Sequence, residues 1–228
     1  MSEHPYPSVS PGEFEETLRA QRVWDTELPA FDPDGAPEAP LPLFHAWFVA
    51  AATAGQPEPH TMTLATVDAT GRPDVRTLML HGADERGWHF ASHATSAKGH
   101  QLATAPDAAL GFYWSVQGRQ VRVRGRVSPG TWEEADADLR VRSTGALASA
   151  LAGRQSEPLP SAAELDRALD AAWARAEAEP EARAESWTVY TLAPAEVEFF
   201  QGDARRRHVR LRYRRADDGG WTRELLWP

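Results

Sequence analysis

Between Thr61 and Val127 the chain sets out five short apolar or alternating segments separated mainly by tight turns, and this spacing excludes most α/β architectures. The segments are Thr61–Val67, Val75–His81, Trp88–Ser92, Ala108–Ser115 and Arg119–Val127. Turn chemistry joins them at Asp68-Ala69-Thr70-Gly71, Asp84–Gly87 and Gln117-Gly118. Parallel neighbours need a crossover of about a dozen residues or more, usually a helix, whereas antiparallel neighbours need only a turn. One helix interrupts the run, Ser96–Thr104, which stops before Pro106. An antiparallel sheet or barrel is the expected result.

Helices flank this region. Phe14–Gln21 and Leu43–Ala54 have helical spacing, the second ended by Gly55-Gln56-Pro57. A T-x-x-E capping box at Thr131-Trp132-Glu133-Glu134 opens a helix towards Arg142. Ser161-Ala162-Ala163-Glu164 opens another, with Leu165, Leu169, Trp173 and Ala176 as an apolar stripe and Pro180 as its stop. Strand character returns at Trp187–Leu192, Val197–Gln201, Val209–Arg214 and Trp221–Leu226. The fold class expected is mainly β with helices (α+β). Residues 1–40, with their proline- and acid-rich PAFDPDGAPEAPLP, read as a flexible arm or lid. Residues 41–228 read as a single domain carrying a helical insertion at about 131–180.

Composition narrows the function. A 42% hydrophobic content over 228 residues supports one real core. No apolar run approaches the roughly 20 residues that span a bilayer, and the N-terminus lacks the basic and apolar regions of a secretory signal. Zero cysteines exclude thiolate chemistry and agree with a reducing cytoplasm, the location expected. A net charge of −9 argues against a nucleic-acid partner.

Three groups of residues could carry chemistry. The first is Arg76, His81, Ser92, Ser96 and Lys98. Ser96 makes a helix N-cap, Lys98 lies in the first turn, and a helix N-terminus favours a phosphate. Lys98 is also the only lysine in the chain. The second is Gln120, on a strand with Arg119, Arg122, Arg124 and Arg126, where a solvated or interface face explains the arginine row better and nothing in the pattern singles Gln120 out. The third is Arg206, His208 and Arg210, alternating as they would around an anion or a reducible ring, or as an exposed basic edge strand. His89 and His93 do not have the geometry of a helical metal pair, so no metal is expected.

Taken together, these blocks resemble the pyridoxamine 5′-phosphate oxidase family of FMN-dependent split-barrel proteins. The likeness runs through PLPLFHAWFVAAA, MTLATVDATGRPDVRTLML, DERGWHFASHATSAKGHQL, GRQVRVRGRV, Arg154-Gln155-Ser156 and VEFFQGDARRRHVRLRY. It implies an antiparallel split β-barrel, and a homodimer with FMN at the subunit interface. It further implies that Arg76, Thr77, Leu78, Met79, His81, Ala91, Ser92, Ser96, Lys98, Gln120, Phe200 and Arg210 contact the flavin. Gln155 and Ser156 do so too, expected from the other subunit. Arg206 and His208 would be catalytic and, with His81, Arg140 and Arg142, would hold substrate.

Departures from the family pattern bear on the substrate. Ala97 stands where the family keeps an arginine, and His81 where it keeps a lysine that helps hold the substrate phosphate. Acids and alanines fill the helix region where a tyrosine is expected, and an Asp beside a phosphate is repulsive. The resemblance then implies an FMN oxidase passing electrons from a small electron-rich molecule, such as a dihydrophenazine, to O₂. The alternatives are a genuine pyridoxamine/pyridoxine 5′-phosphate oxidase, and a non-catalytic or haem- or deazaflavin-binding split barrel.

Overall fold

The computed structural model describes residues 7–24 and 27–228. Among them are six helices and nine strands, every strand pair antiparallel. The chain runs α1 (Pro11–Ala20), α2 (Pro40–Thr53), β1 (Thr61–Val67), β2 (Pro73–Met79), β3 (Gly82–Asp84) and β4 (Gly87–His93). It continues with α3 (Ala97–Thr104), β5 (Asp107–Trp114), β6 (Arg119–Pro129), α4 (Trp132–Arg140), α5 (Thr144–Ala152) and α6 (Ala162–Ala178). It ends with β7 (Trp187–Gln201), β8 (Val209–Arg215) and β9 (Trp221–Leu226).

The strands form one curled sheet in the order β2-β1-β5-β6-β7-β4-β3, with β8 and β9 added beside β7. This is the expected α+β split barrel. The expected strand Val75–His81 ends instead at Met79. Leu80 N–H still donates to His60, but His81 N–H donates to His89 on β4. His81 therefore sits where the chain leaves one neighbour for another.

Trp187–Leu192 and Val197–Gln201, read as two strands, are the two halves of the 15-residue β7. Pro194 does not break it, because the pairing with β6 shifts register at Arg124/Gly125. The close approach there needs glycine: a Cβ on Gly125 would stand 2.0 Å from the Ala193 carbonyl oxygen. The first half of β7 pairs with β4 and the second with β8.

The barrel interior holds Phe44, Met62, Leu64, Trp88, Phe90, Leu110, Phe112, Trp114, Val121, Leu192 and Phe199, each almost fully buried. Helix α2 covers one end with Leu43, Phe44, Trp47 and Ala51, spaced to share one face. The proline-rich segment before it lies on the barrel. Phe31 meets the Trp47 ring edge-on, and Tyr213 Oη donates to the Pro37 carbonyl at 2.8 Å.

The α6 stripe differs from expectation. Leu165, Leu169 and Trp173 are exposed, while Ala172 and Ala176 are buried, Ala176 against Leu147 and Ala148 of α5. Helix α5 itself went unread in the sequence and turns α6 towards it. No helix among the described residues is long and apolar enough to cross a membrane.

Candidate active site

Strand β4 runs directly into α3 through a tight loop, and this buries a cation against Ser92. Ser96 caps α3, accepting from Gly99 N–H at 3.2 Å, and its own hydroxyl donates to the His93 carbonyl. A Cβ on Gly99 would lie 2.2 Å from the Ala94 carbonyl oxygen, so only glycine lets the helix start this close to β4. Lys98 is thereby buried, 6% exposed, with its ammonium on Ser92 Oγ (2.9 Å), Ser96 Oγ (3.2 Å) and Gln155 Oε1 (2.6 Å). Among the described residues no carboxylate pairs with it. Burial, with a smaller push from Arg76, brings the Lys98 pKa down to about 8. A buried cation held by neutral acceptors at a helix N-terminus is a site prepared for an anion.

Arg76 on β2 closes one side. Its guanidinium donates to Thr66 Oγ1 and Asp74 Oδ2, both at 2.5 Å, and to Gln101 Oε1 at 3.0 Å. Gln155 and Ser156, expected from the other subunit, reach this cluster within one chain: Ser156 Oγ accepts from Ala97 N–H at 3.2 Å. The loop after α5 doubles back with Gly153, Arg154 and Ser156 all at positive φ, and so aims Gln155 at Lys98.

Beside this cluster lies an open cavity of about 380 Å³, with Thr77, Leu78, Met79, Ala91 and Ser92 along its wall and His81 and Arg142 at one end. Asp138 is one of the acids in the helix region that lacks the expected tyrosine, and the sequence does not single it out. In the structure it stands behind that end. Arg142 reaches it twice, Nε to Oδ2 at 2.8 Å and Nη2 to Oδ1 at 3.0 Å. Trp187 Nε1 donates to Oδ2 at 2.9 Å, and His81 Nδ1 lies 3.3 Å from Oδ1. Burial pushes the Asp138 carboxyl upward, but these donors outweigh it and hold the group below the ordinary aspartate range. Arg140, the other candidate for substrate, pairs with Asp136 at 2.7 Å on an exposed face and does not line this cavity.

The remaining candidates gather elsewhere. Gln120 faces an adjoining cavity of about 400 Å³ that shares Thr61 and Thr77 with the first. Phe200 pairs across the sheet with Gln120 on one side and Arg210 on the other. The Phe200 ring lies 5.2 Å from that of His208, which also meets Trp24 edge-on at 5.1 Å. Arg210 donates to Glu198 at 2.9 Å and to the Trp227 carbonyl at 2.8 Å. Arg206 is exposed, at φ +64. Among the described residues no hydrogen bond, ion pair or ring contact links Arg206, His208, Phe200 or Arg210 to the Lys98 cluster. Ser92 pairs with Thr188 near one end of β7, and Phe200 lies near the other, roughly 40 Å further along the strand at about 3.3 Å per residue. The two groups sit towards opposite ends of one bent strand.

Comparison with known proteins gives the chain a family. Residues 48–176 match the model of a family described as pyridoxamine 5′-phosphate oxidase. Residues 187–228 match the pyridoxine 5′-phosphate oxidase C-terminal dimerisation region, which supports a homodimer. A pyridoxine/pyridoxamine 5′-phosphate oxidase of Pseudomonas fluorescens (strain SBW25) is 45% identical over 196 residues, 85% of this chain and 90% of its own. That of Hyphomonas neptunium is 42% identical over 190 residues, 83% and 87% of the two chains. Among solved structures, PhzG from Burkholderia lata 383, in complex with tetrahydrophenazine-1-carboxylic acid, aligns with a TM-score of 0.80 at 32% identity, over 90% of this chain and 98% of that one. A related FMN-binding protein from Nostoc punctiforme PCC 73102 shares the fold, with a TM-score of 0.69 at 21% identity, over 83% and 98% of the two chains. The expected cofactor, FMN, accords with these matches, and the buried Lys98 fits its phosphate. The chain belongs to the pyridoxamine 5′-phosphate oxidase family of flavin oxidoreductases.

Proposed function

We propose that this protein is an FMN-dependent oxidase acting on a small, electron-rich, non-phosphorylated aromatic donor with O₂ as acceptor, of the dihydrophenazine type. The observation that carries it is the pairing of an uncompensated Lys98 cation beside the cavity with a cavity end whose cation, Arg142, is already neutralised by Asp138. One anion site is open for the cofactor phosphate, and the Arg142 end offers no unpaired cation for a second phosphate. Lys98, Ser92, Arg76 and the α3 N-terminus would hold the FMN phosphate, and Thr77–Met79 would run along the ring. FMN supplies two-electron chemistry, taking a hydride from the donor and handing both electrons to O₂ to give H₂O₂.

The sites would lie at the homodimer interface, where Phe200, Arg206, His208 and Arg210 from the second subunit complete what one chain leaves as separate halves. There Arg206 would orient the donor and His208 would hold or move a proton. Residues 41–228 would act as one domain, with the insertion at about 131–180 supplying Arg142 and Gln155. A cytoplasmic location belongs to the same reading.

A second reading, oxidation of pyridoxamine or pyridoxine 5′-phosphate, is favoured by the 45% identity to a relative of that name. One assay separates the two. The purified yellow protein is given a dihydrophenazine carboxylate or pyridoxamine 5′-phosphate, and O₂ uptake and H₂O₂ are followed. Turnover of the first alone supports the proposal, and efficient turnover of the second overturns it.

A further inference from the structure

At the His81–Arg142 end of the cavity beside Lys98 the cation already has a carboxylate partner. Arg142 spends two of its guanidinium nitrogens on Asp138. Nη2 also lies 2.9 Å from the His81 ring nitrogens. A guanidinium only donates, so in this contact the imidazole is the acceptor. The formal charges of the pair cancel: one carboxylate, one guanidinium. Asp138 is fixed from behind by Trp187 Nε1 at 2.9 Å, and the Trp187 ring lies 5.3 Å beneath the guanidinium carbon. Asp138 cannot swing away without orphaning an indole N–H. Arg142 Nη1 is left without a partner among the described residues.

We propose that Asp138 is a resident counter-anion that sets ligand specificity. It leaves the cavity end fit for a single carbonyl or carboxylate oxygen on an aromatic ring, received by Arg142 Nη1, and unfit for a dianionic phosphomonoester. A phosphate at this end meets a fixed negative charge a few ångströms away, with no net positive charge to offset it. A neutral or singly charged acceptor meets at most half that repulsion. The inference rests on the proposed reading that this cavity receives the substrate, and extends it to the residue that selects the substrate class.

The test reads binding without turnover. The FMN-loaded protein is titrated with pyridoxal and with pyridoxal 5′-phosphate, which differ only in the phosphate, by calorimetry or flavin fluorescence. The wild type is expected to favour the phosphate ester by no more than about threefold, and Asp138→Asn to shift the ratio towards it by about tenfold or more. Adding Arg142→Gln to that variant should abolish the gain. His81→Lys, which adds a cation at the same end without touching Asp138, should shift the ratio in the same direction and serves if Asp138→Asn does not fold. A wild type that prefers the ester by about tenfold or more, or substitutions that leave the ratio unmoved, overturns the inference. Failure of the oxidase reading looks different: no O₂ uptake with any donor leaves the binding ratios, and this inference, intact.

Discussion

Lys98 Nζ lies 2.6 Å from the Gln155 side-chain oxygen, a full charge facing a neutral amide. Its other partners, Ser92 and Ser96, are neutral too. Among the described residues no carboxylate pairs with this ammonium, and burial, with a smaller push from Arg76, lowers its pKa from 10.5 to about 8. In the protein without FMN, the sign follows from proton counts. Between pH 8 and 10.5 the unfolded chain holds a proton that the folded one has lost, so folding stability rises across that window. Below pH 8 the full cost of the buried charge is present, about 3 kcal/mol from the size of the shift.

Binding an anion reverses this cost, so FMN affinity should be highest with Lys98 protonated and fall as pH rises above about 8. Lys98→Met should weaken FMN binding by roughly 10- to 100-fold at neutral pH, in line with one charge-assisted hydrogen bond, and flatten the pH profile. Fluorescence titration of the FMN-free protein across pH 6.5–9.5, roughly bracketing that value, measures both. An unchanged Kd in the variant would remove Lys98 from the phosphate site.

Gly125 is predicted to tolerate no side chain. Its Cβ would meet the Ala193 carbonyl oxygen at 2.0 Å, at the shift that lets β7 bend from β4 towards β8. Gly125→Ala should cost about 2–4 kcal/mol, seen as a lower urea midpoint, because the backbone on both strands must move. Gly12→Ala is the matched control: nothing lies within 4 Å of its Cβ position.

What the sequence made legible was set by how local each signal was. The strands from Thr61 to Val127 could be read because turn residues and apolar alternation sit within a few positions of one another. Helix α5, TGALASALA, escaped because its run of small residues carries no clear periodicity, although Ser143 caps it. The α6 stripe was misassigned because spacing tells which residues share a face but not which face meets a neighbour. Asp138 was the largest miss at the site. It is one acid among Glu133, Glu134 and Asp136 on a short helix, and only the fold brings His81 and Trp187 to it. Its i, i+4 spacing to Arg142 is the local signal in the sequence that points to it.

Asp138 should also leave a mark on acid stability. Its carboxyl is held below the ordinary value of 3.8, so the stability it contributes is present above that pH and is lost as pH falls below it. Asp138→Ala should destabilise the fold by about 1–3 kcal/mol at pH 7, since it strands the Trp187 N–H and the Arg142 guanidinium in a partly buried site. Thermal melts at pH 7 and pH 3, about a unit below that ordinary value, should show the gap between wild type and variant narrowing in acid. A gap independent of pH would mean that the charge of Asp138 is not what stabilises the cluster.

The separation of the two half-sites makes the sharpest prediction. Lys98, Ser92 and Arg142 gather about the first half of β7, while Phe200, Arg206, His208 and Arg210 gather about the second. Lys98→Ala removes a residue of one half and Arg206→Ala a residue of the other. Arg206 is exposed and, among the described residues, held only through its backbone N–H on the Asp203 carbonyl, so its loss should leave folding within about 0.5 kcal/mol of wild type. Each variant alone carries the same defect in both sites of its dimer. A mixed dimer pools both defects in one site and leaves the other site intact. Random assembly of equal amounts makes half the dimers mixed, so about a quarter of wild-type O₂ uptake should return. If each chain carried a complete site, every site in the mixture would hold one defect and no activity would return. Co-expression of differently tagged variants, with tandem purification of the mixed dimer, should raise the recovery to about half, because every molecule then holds one good site.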